Sequence, residues 1–280
     1  MRIKVLGCSG GIGGDLRTTS MLVDEDILID AGTGVGDLLI EQLVKIDHVF
    51  VTHSHLDHVT SIPFLVDTVC WMRDRPLTVY STAATIQILK EHLFNWKIWP
   101  DFSQIPDAEK PVMVYREIQV GETIDLDGRK FTAIPAVHTV PAVGYLLDSG
   151  QATLIFSGDT TNNDALWDIA NRAHNLKYLI IETAFPNKER EIAIASKHLC
   201  PSMLAEELSK LTRPVDVFVT HLKPGEIYLT MSEIGRNAGT LLQGLPDAGT
   251  CVPPQVRTSK YCPVNEAVTE TGSTPALGST

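Results

Sequence analysis

Apolar positions along the chain fall into short runs and into longer stretches spaced three or four residues apart. The short runs predict strands at 3–6, 20–23, 27–30, 48–52 and 77–80. A second set follows at 112–118, 124–126, 130–137, 142–147, 152–156, 178–181 and 215–219. Several are Val-, Ile- and Phe-rich without polar alternation, as in strands covered on both faces. Helical spacing recurs at 35–46, where Leu38, Leu39, Leu43 and Ile46 share a face, and at 61–71, 83–94, 165–173, 201–211 and 231–245. Asp127-Gly128 predicts a hairpin turn. Pro100, Pro106 and Pro111 predict that 97–111 is a loop or flap. Strand-rich halves, each closed by helices, predict a layered α/β fold.

The pattern stops after Pro246. Residues 246–280 are rich in Pro, Gly, Ser and Thr, so they are expected as a tail or poorly ordered extension of a domain spanning 1–245. Composition adds exclusions. With 280 residues, 44% hydrophobic and 20% charged, the chain is neither disordered nor fibrous nor a disulfide-stapled miniprotein. No apolar run reaches the roughly 18 residues of a membrane span. The start is too soon interrupted by glycines for a signal peptide, and a cytoplasmic protein is expected. The 34 acidic residues against 23 basic ones give a net charge of −11, which disfavours a long nucleic acid as partner. Five cysteines without CxxC spacing are expected as reduced thiols.

The chemistry concentrates in nine histidines. Three stand in His53-Ser-His55-Leu-Asp57-His58, directly after a strand. If the backbone turns there, His53 and His55 can face one metal while Asp57 and His58 serve a second. Downstream, His138, Asp159, Glu182 and His221 each stand where a β run ends, the place where rigid scaffolds present reactive groups. The run 10–14 lacks the Gly-Lys-Ser/Thr ending of a phosphate loop and is expected as a flexible loop near the site mouth. Asp30 either orients a histidine or caps its turn. Lys223 is expected in solvent, and Trp71, Trp96, Trp99 and Phe102 as core or flap packing.

The motif His53-x-His55-x-Asp57-His58, followed by His138, Asp159 in Ser-Gly-Asp and His221, resembles the metallo-β-lactamase superfamily over roughly residues 1–240. The resemblance implies a four-layer αββα sandwich with two divalent metal ions, zinc or else manganese or iron, at the mouth between the sheets. By that pattern His53, His55 and His138 hold the first metal. Asp57, which the resemblance also places among the catalytic groups, holds the second with His58 and His221, while Asp159 bridges. A hydroxide shared by the metals is then the nucleophile, a chemistry suited to an anionic phosphodiester.

Leu56 within the motif and the run 59–62 resemble class II cyclic nucleotide phosphodiesterases, although Pro63 departs from the pattern. Glu182-Thr-Ala-Phe185 followed by Ser196-Lys-His198-Leu199 is similar to a segment of that class. It implies that His198 contacts the phosphoryl group or donates a proton, with Glu182 orienting it. The implied activity is hydrolysis of a 3′,5′-cyclic nucleotide to the 5′-monophosphate, by an enzyme for which a homodimer stays open. Rivals are a ribonuclease Z-type tRNA 3′-processing nuclease, a lactonase or thioesterase, and a non-enzymatic nucleotide sensor on the same fold. No basic arm suited to tRNA stands out, since 97–111 offers only Lys97 and Lys110 as cations.

Overall fold

The computed structural model describes residues 1–237; the tail at 246–280 and the end of the predicted helix 231–245 lie outside the described residues. The first sheet runs in chain order through β1 (Ile3–Gly7), β2 (Ser20–Val23), β3 (Ile27–Ala31), β4 (His48–Phe50), β5 (Leu77–Ser81) and β6 (Met113–Glu117). The second comprises β7 (Thr123–Leu126), β8 (Arg129–Pro135), β9 (Val143–Asp148), β10 (Thr153–Phe156), β11 (Leu176–Glu182) and β12 (Asp216–Thr220). In each sheet the first three strands form an antiparallel meander. From β3 to β6, and again from β10 to β12, the strands are parallel.

Helices α1 (Ile40–Leu43), α2 (Leu56–Val59), α3 (Ser61–Val69) and α4 (Ala83–His92) belong to the first half. The second half carries α5 (Asp164–Arg172), α6 (Arg190–Ser196), α7 (Pro201–Leu208) and α8 (Ile227–Asn237). Strand alternation sorts the core into three apolar layers. Leu28, Val49 and Val79 pack outward against Ile62, Leu65 and Val66 of α3. Ile27, Ile29 and Phe50 turn inward to meet Phe131, Tyr145 and Phe156 of the second sheet. Ile155, Leu179 and Val217 face Trp167 of α5, Met203 of α7 and Ile234 of α8. The result is the αββα sandwich. Phe50 is its centre: its ring stacks on Tyr80 and on Phe131, both with centroids 4.4 Å away, and meets Tyr145 edge-on.

Two elements depart from the sequence pattern. The helix expected at 35–46 divides into a 3-10 turn at Thr33–Asp37, an extended Leu38–Leu39 and the single turn of α1. Gly34 lies so close to β1 that a Cβ there would stand 2.3 Å from the Leu6 carbonyl oxygen; docking on β1 and the low helix propensity of Gly34 and Gly36 outweigh the apolar spacing. The unpredicted α6 buries only Ala193, so its sequence carries no amphipathic stripe. No helix among the described residues is long and apolar enough to cross a membrane.

The second helical layer is pinned by a buried carboxylate. Glu207 of α7 accepts from Trp167 Nε1 (2.5 Å), Asn162 Nδ2 (2.7 Å), Asn163 N (3.0 Å) and Lys210 Nζ (2.6 Å). Asn163 also caps α5 by accepting from Leu166 N. One buried anion with four donors thus fixes where α5 starts relative to α7.

Candidate metal centre

Strand direction gathers the reactive residues. Because β10, β11 and β12 are parallel, and β8 reaches the same sense through antiparallel β9, all four end at one rim of the second sheet. Parallel β3 and β4 end together at a rim of the first. Val143 N donates to Thr52 O (3.0 Å) and Tyr145 Oη to Val51 O (2.9 Å), which closes the rims on each other. Asp30 ends β3, His53 follows β4, His138 follows β8, Asp159 follows β10, Glu182 ends β11 and His221 follows β12. His55 immediately precedes α2, whose first turn carries Asp57 and His58.

Two of these positions are left-handed, Asp30 at φ 53° and His221 at φ 65°, a conformation that costs energy in non-glycine residues and gathers at functional sites. Gly158, at φ 60°, brings the chain against β9: a Cβ there would lie 2.7 Å from the Val143 carbonyl oxygen. That approach turns the chain so that Asp159 faces the histidines.

Donor atoms of His53, His55, His138 and Asp159 lie within 4.8 Å of one another, as do those of Asp57, His58 and His221. Asp159 is central. Its Oδ2 is 3.7 Å from His53 Nε2, 3.4 Å from His58 Nε2 and 3.9 Å from His138 Nε2, and its Oδ1 is 3.4 Å from His221 Nδ1. Asp57 Oδ2 stands 4.0 Å from His58 Nε2 and 3.8 Å from His221 Nε2. His55 Nδ1 and His138 Nε2 approach to 3.1 Å.

The opposite ring nitrogens explain why these atoms are free. His58 Nδ1 donates to Asp30 Oδ2 (2.7 Å), and His138 Nδ1 donates to the Lys197 carbonyl (3.2 Å). Thr52 Oγ1 donates to Asp30, so its oxygen accepts from His53 Nδ1 at 3.0 Å. Each of these bonds leaves the Nε2 lone pair aimed inward. Nε2 of His53, His58 and His221 is buried without a hydrogen-bond partner, an arrangement that costs energy unless a ligand completes it. Nitrogen donors with shared carboxylates fit first-row divalent cations.

Burial holds His53 well below the ordinary histidine pKa, His138 down at about 4 and His221 at about 3, keeping them neutral as ligation requires. Burial would raise Asp159, but His221 and His58 outweigh it and hold the carboxyl well below its usual value.

Beside this centre, His198 Nδ1 donates to Glu182 Oε1 (2.7 Å), and the His198 ring stacks on His221 at 5.1 Å. Burial pushes Glu182 up to about 7. Burial would lower His198, but its bond to Glu182 prevails and raises it. Thr160 N and Leu199 N also donate to Glu182, so its carboxylate is fixed between the loop after β10 and the residues after α6.

A sequence model of the family described as "Beta-lactamase superfamily domain" matches residues 25–222, which span every one of these residues. The chain belongs to the metallo-β-lactamase superfamily. Within it, a Yersinia pestis protein named "Probable 3',5'-cyclic-nucleotide phosphodiesterase" is 27% identical over 275 residues, covering 79% of this chain and 78% of its own. A ribonuclease Z from Haloarcula marismortui is 32% identical over 158 residues, 53% of this chain and 47% of that protein. Among solved structures, unliganded yeast PDE1 superposes with a TM-score of 0.74 at 17% identity, over 89% of this chain and 96% of that one. That last likeness concerns the fold alone.

Some supports of this superfamily site are silent in the sequence. Thr52 stands between Asp30 and His53 yet looks like one more strand threonine. Lys197, left-handed at φ 54°, gives its carbonyl to His138 Nδ1 and its ammonium to the His138 carbonyl (2.9 Å). Asp30 proves to orient His58 as well as to turn the chain. The glycine-rich loop is tied down, since Gly10 N donates to Leu222 O and Lys223 Nζ, expected in solvent, donates to Gly10 O. His48 bonds Tyr80, while His92 and His174 are exposed away from the cluster.

Proposed function

We propose that the chain is a dinuclear metal-dependent phosphodiesterase that hydrolyses a 3′,5′-cyclic nucleotide to the 5′-monophosphate. The observation that carries this reading is the buried His198–Glu182 pair standing beside a seven-residue donor set. A donor set alone would suit several hydrolytic reactions, whereas an oriented histidine beside it offers a proton to a departing oxygen. The match to a cyclic-nucleotide phosphodiesterase over 79% of the chain points the same way.

In this reading His53, His55 and His138 hold one cation, and Asp57, His58 and His221 the other, with Asp159 shared. Zinc is the first choice, manganese or iron the alternatives. Two such ions lower the pKa of water and stabilise the charge of an in-line displacement at phosphorus. The chain supplies the rest. As water oxygen bonds to phosphorus and the P–O3′ bond breaks, His198 Nε2 gives its proton to the 3′-oxygen. Glu182 holds the Nδ1–H side of the ring and stabilises the imidazolium before transfer. Asp57, only partly covered, faces the open side of the centre. We assign the activity to a domain of residues 1–245 acting in the cytoplasm, a setting consistent with the free thiols of Cys8, Cys70 and Cys200.

The test is hydrolysis of 3′,5′-cyclic AMP by purified protein with metal content measured on the same sample. Formation of 5′-AMP, abolished by a chelator and restored by added metal, is the expected result. Two bound metals with intact cyclic AMP would overturn the substrate assignment. Cleavage of unprocessed tRNA that cyclic AMP does not inhibit would transfer the chain to the ribonuclease Z reading.

A further inference from the structure

The outer surface of the first helical layer is unusually apolar. Leu39 and Ile40 at the start of α1, Phe64 and Trp71 on the α3 side, and Trp96 and Ile98 in the turn after α4 are each between 54% and 73% exposed. These side chains belong to neighbouring elements. α1 packs on α3, and Arg73 beyond α3 donates to the Val44 carbonyl at the end of α1. On the other flank the Phe64 ring meets Trp99 edge-on at 5.2 Å, and Trp96 N donates to the Trp99 carbonyl. Trp71 and Trp96 thus stand in solvent rather than in the core where tryptophan is expected.

We propose that this face is the contact surface of a twofold dimer of the chain, with the α3 layer of one copy laid on that of the other. The area fits. Side chains of this size bury about 150–250 Å² each when covered. With Leu56 and Met72 added, the exposed fractions come to the order of 800 Å², the share of one partner in a standard interface and beyond the largest patch of an ordinary monomer. Composition fits as well, since Trp, Phe and Met are enriched in interface cores and homodimers have the most apolar ones. An isologous contact sets a patch against itself, which an apolar face tolerates without any charge to match. An anionic membrane is the poorer occupant: the exposed charges among these side chains are Glu41 and Asp67 against Lys97, not a basic rim. Leu56 directly follows His55, so the contact reaches the edge of the metal centre and would wall one side of its mouth.

The test is sedimentation of the full chain across micromolar concentrations. The expected species has twice the 30.7 kDa chain mass. Trp71→Lys and Ile98→Lys, made separately, are expected to weaken the dimer by about thirtyfold or more, with circular dichroism and melting unchanged. Tyr228→Lys, 79% exposed on the opposite helical layer, serves as a control and is expected to leave the dimer intact. A wild-type chain that stays monomeric would overturn the proposal. So would a dimer that both face variants retain at wild-type strength, or a monomer that co-sediments with phosphatidylcholine vesicles.

Discussion

Replacing Asp30 by asparagine alters the chemistry of one atom and leaves the backbone undisturbed, because asparagine tolerates the left-handed conformation that residue 30 adopts. Asp30 Oδ1 accepts from Thr52 N and Thr52 Oγ1, and Oδ2 accepts from His58 Nδ1 at 2.7 Å. In Asp30→Asn the amide oxygen can keep the Thr52 bonds, but the amide NH2 then confronts the Nδ1–H of His58. Two donors cannot bond, so the imidazole is driven to carry its proton on Nε2, the atom 3.4 Å from Asp159 and 4.0 Å from Asp57. A proton there blocks ligation. A hydrogen bond to a charged group is worth about 1.5–3 kcal/mol. Loss of a group that orients a ligating histidine costs about 10–100-fold in metal affinity, or about 1.4–2.7 kcal/mol, so the two magnitudes agree. Competition against a chromophoric chelator reads both affinities, with a denaturation curve on the same sample. The expected outcome is one weakened affinity, the other near wild type, and a folded protein. If both affinities match wild type, then His58 Nε2 does not hold a metal or Asp30 does not set its tautomer.

His198→Ala is expected to retain both metals while turnover of cyclic AMP falls by about 10²–10⁴; loss of metal instead would make His198 a ligand. Asp159→Ala removes the carboxylate shared by the two donor groups, and metal analysis should find fewer ions and almost no activity. Glu207→Ala strands four donors and should cost about 3–5 kcal/mol in urea unfolding, as breaking a buried charged pair does. Burial works to raise the Glu207 pKa, yet Lys210 and the other donors prevail and hold it below the ordinary 4.5. The stability it contributes is therefore present above that value and lost as pH falls through the folded pKa, and Glu207→Gln should flatten that acid slope. Gly158→Ala demands a left-handed alanine pressed on the Val143 carbonyl, and should cost about 1–3 kcal/mol together with metal affinity.

The site was more legible in the sequence than its supports. The cluster at 53–58 declares itself because histidine and aspartate rarely crowd into six residues without a shared ligand, and His138, Asp159 and His221 each stand where a β-branched run stops. Strands were legible because burial on both faces leaves them nearly all apolar. The helix expected at 35–46 failed because spacing cannot report the close approach of Gly34 to β1. Thr52 and the carbonyl of Lys197 act through single atoms that any threonine or any residue could supply, so composition is blind to them. Trp71 and Trp96 read as core because tryptophan usually is, and only the packed layers reveal that nothing on this chain covers them.

The two rims contribute unequally to the centre: His53, His55, Asp57 and His58 come from the first half of the chain and His138, Asp159 and His221 from the second. A cation there joins segments more than eighty residues apart in sequence, much as a cross-link would. Binding that requires both halves in register cannot be offered by the unfolded chain, so metal acts by mass action on folding itself. Free metal at a hundred times its dissociation constant would add about 2.7 kcal/mol for one site. Availability of metal in the surroundings thus becomes a control on how long the fold persists, as well as on what it can catalyse.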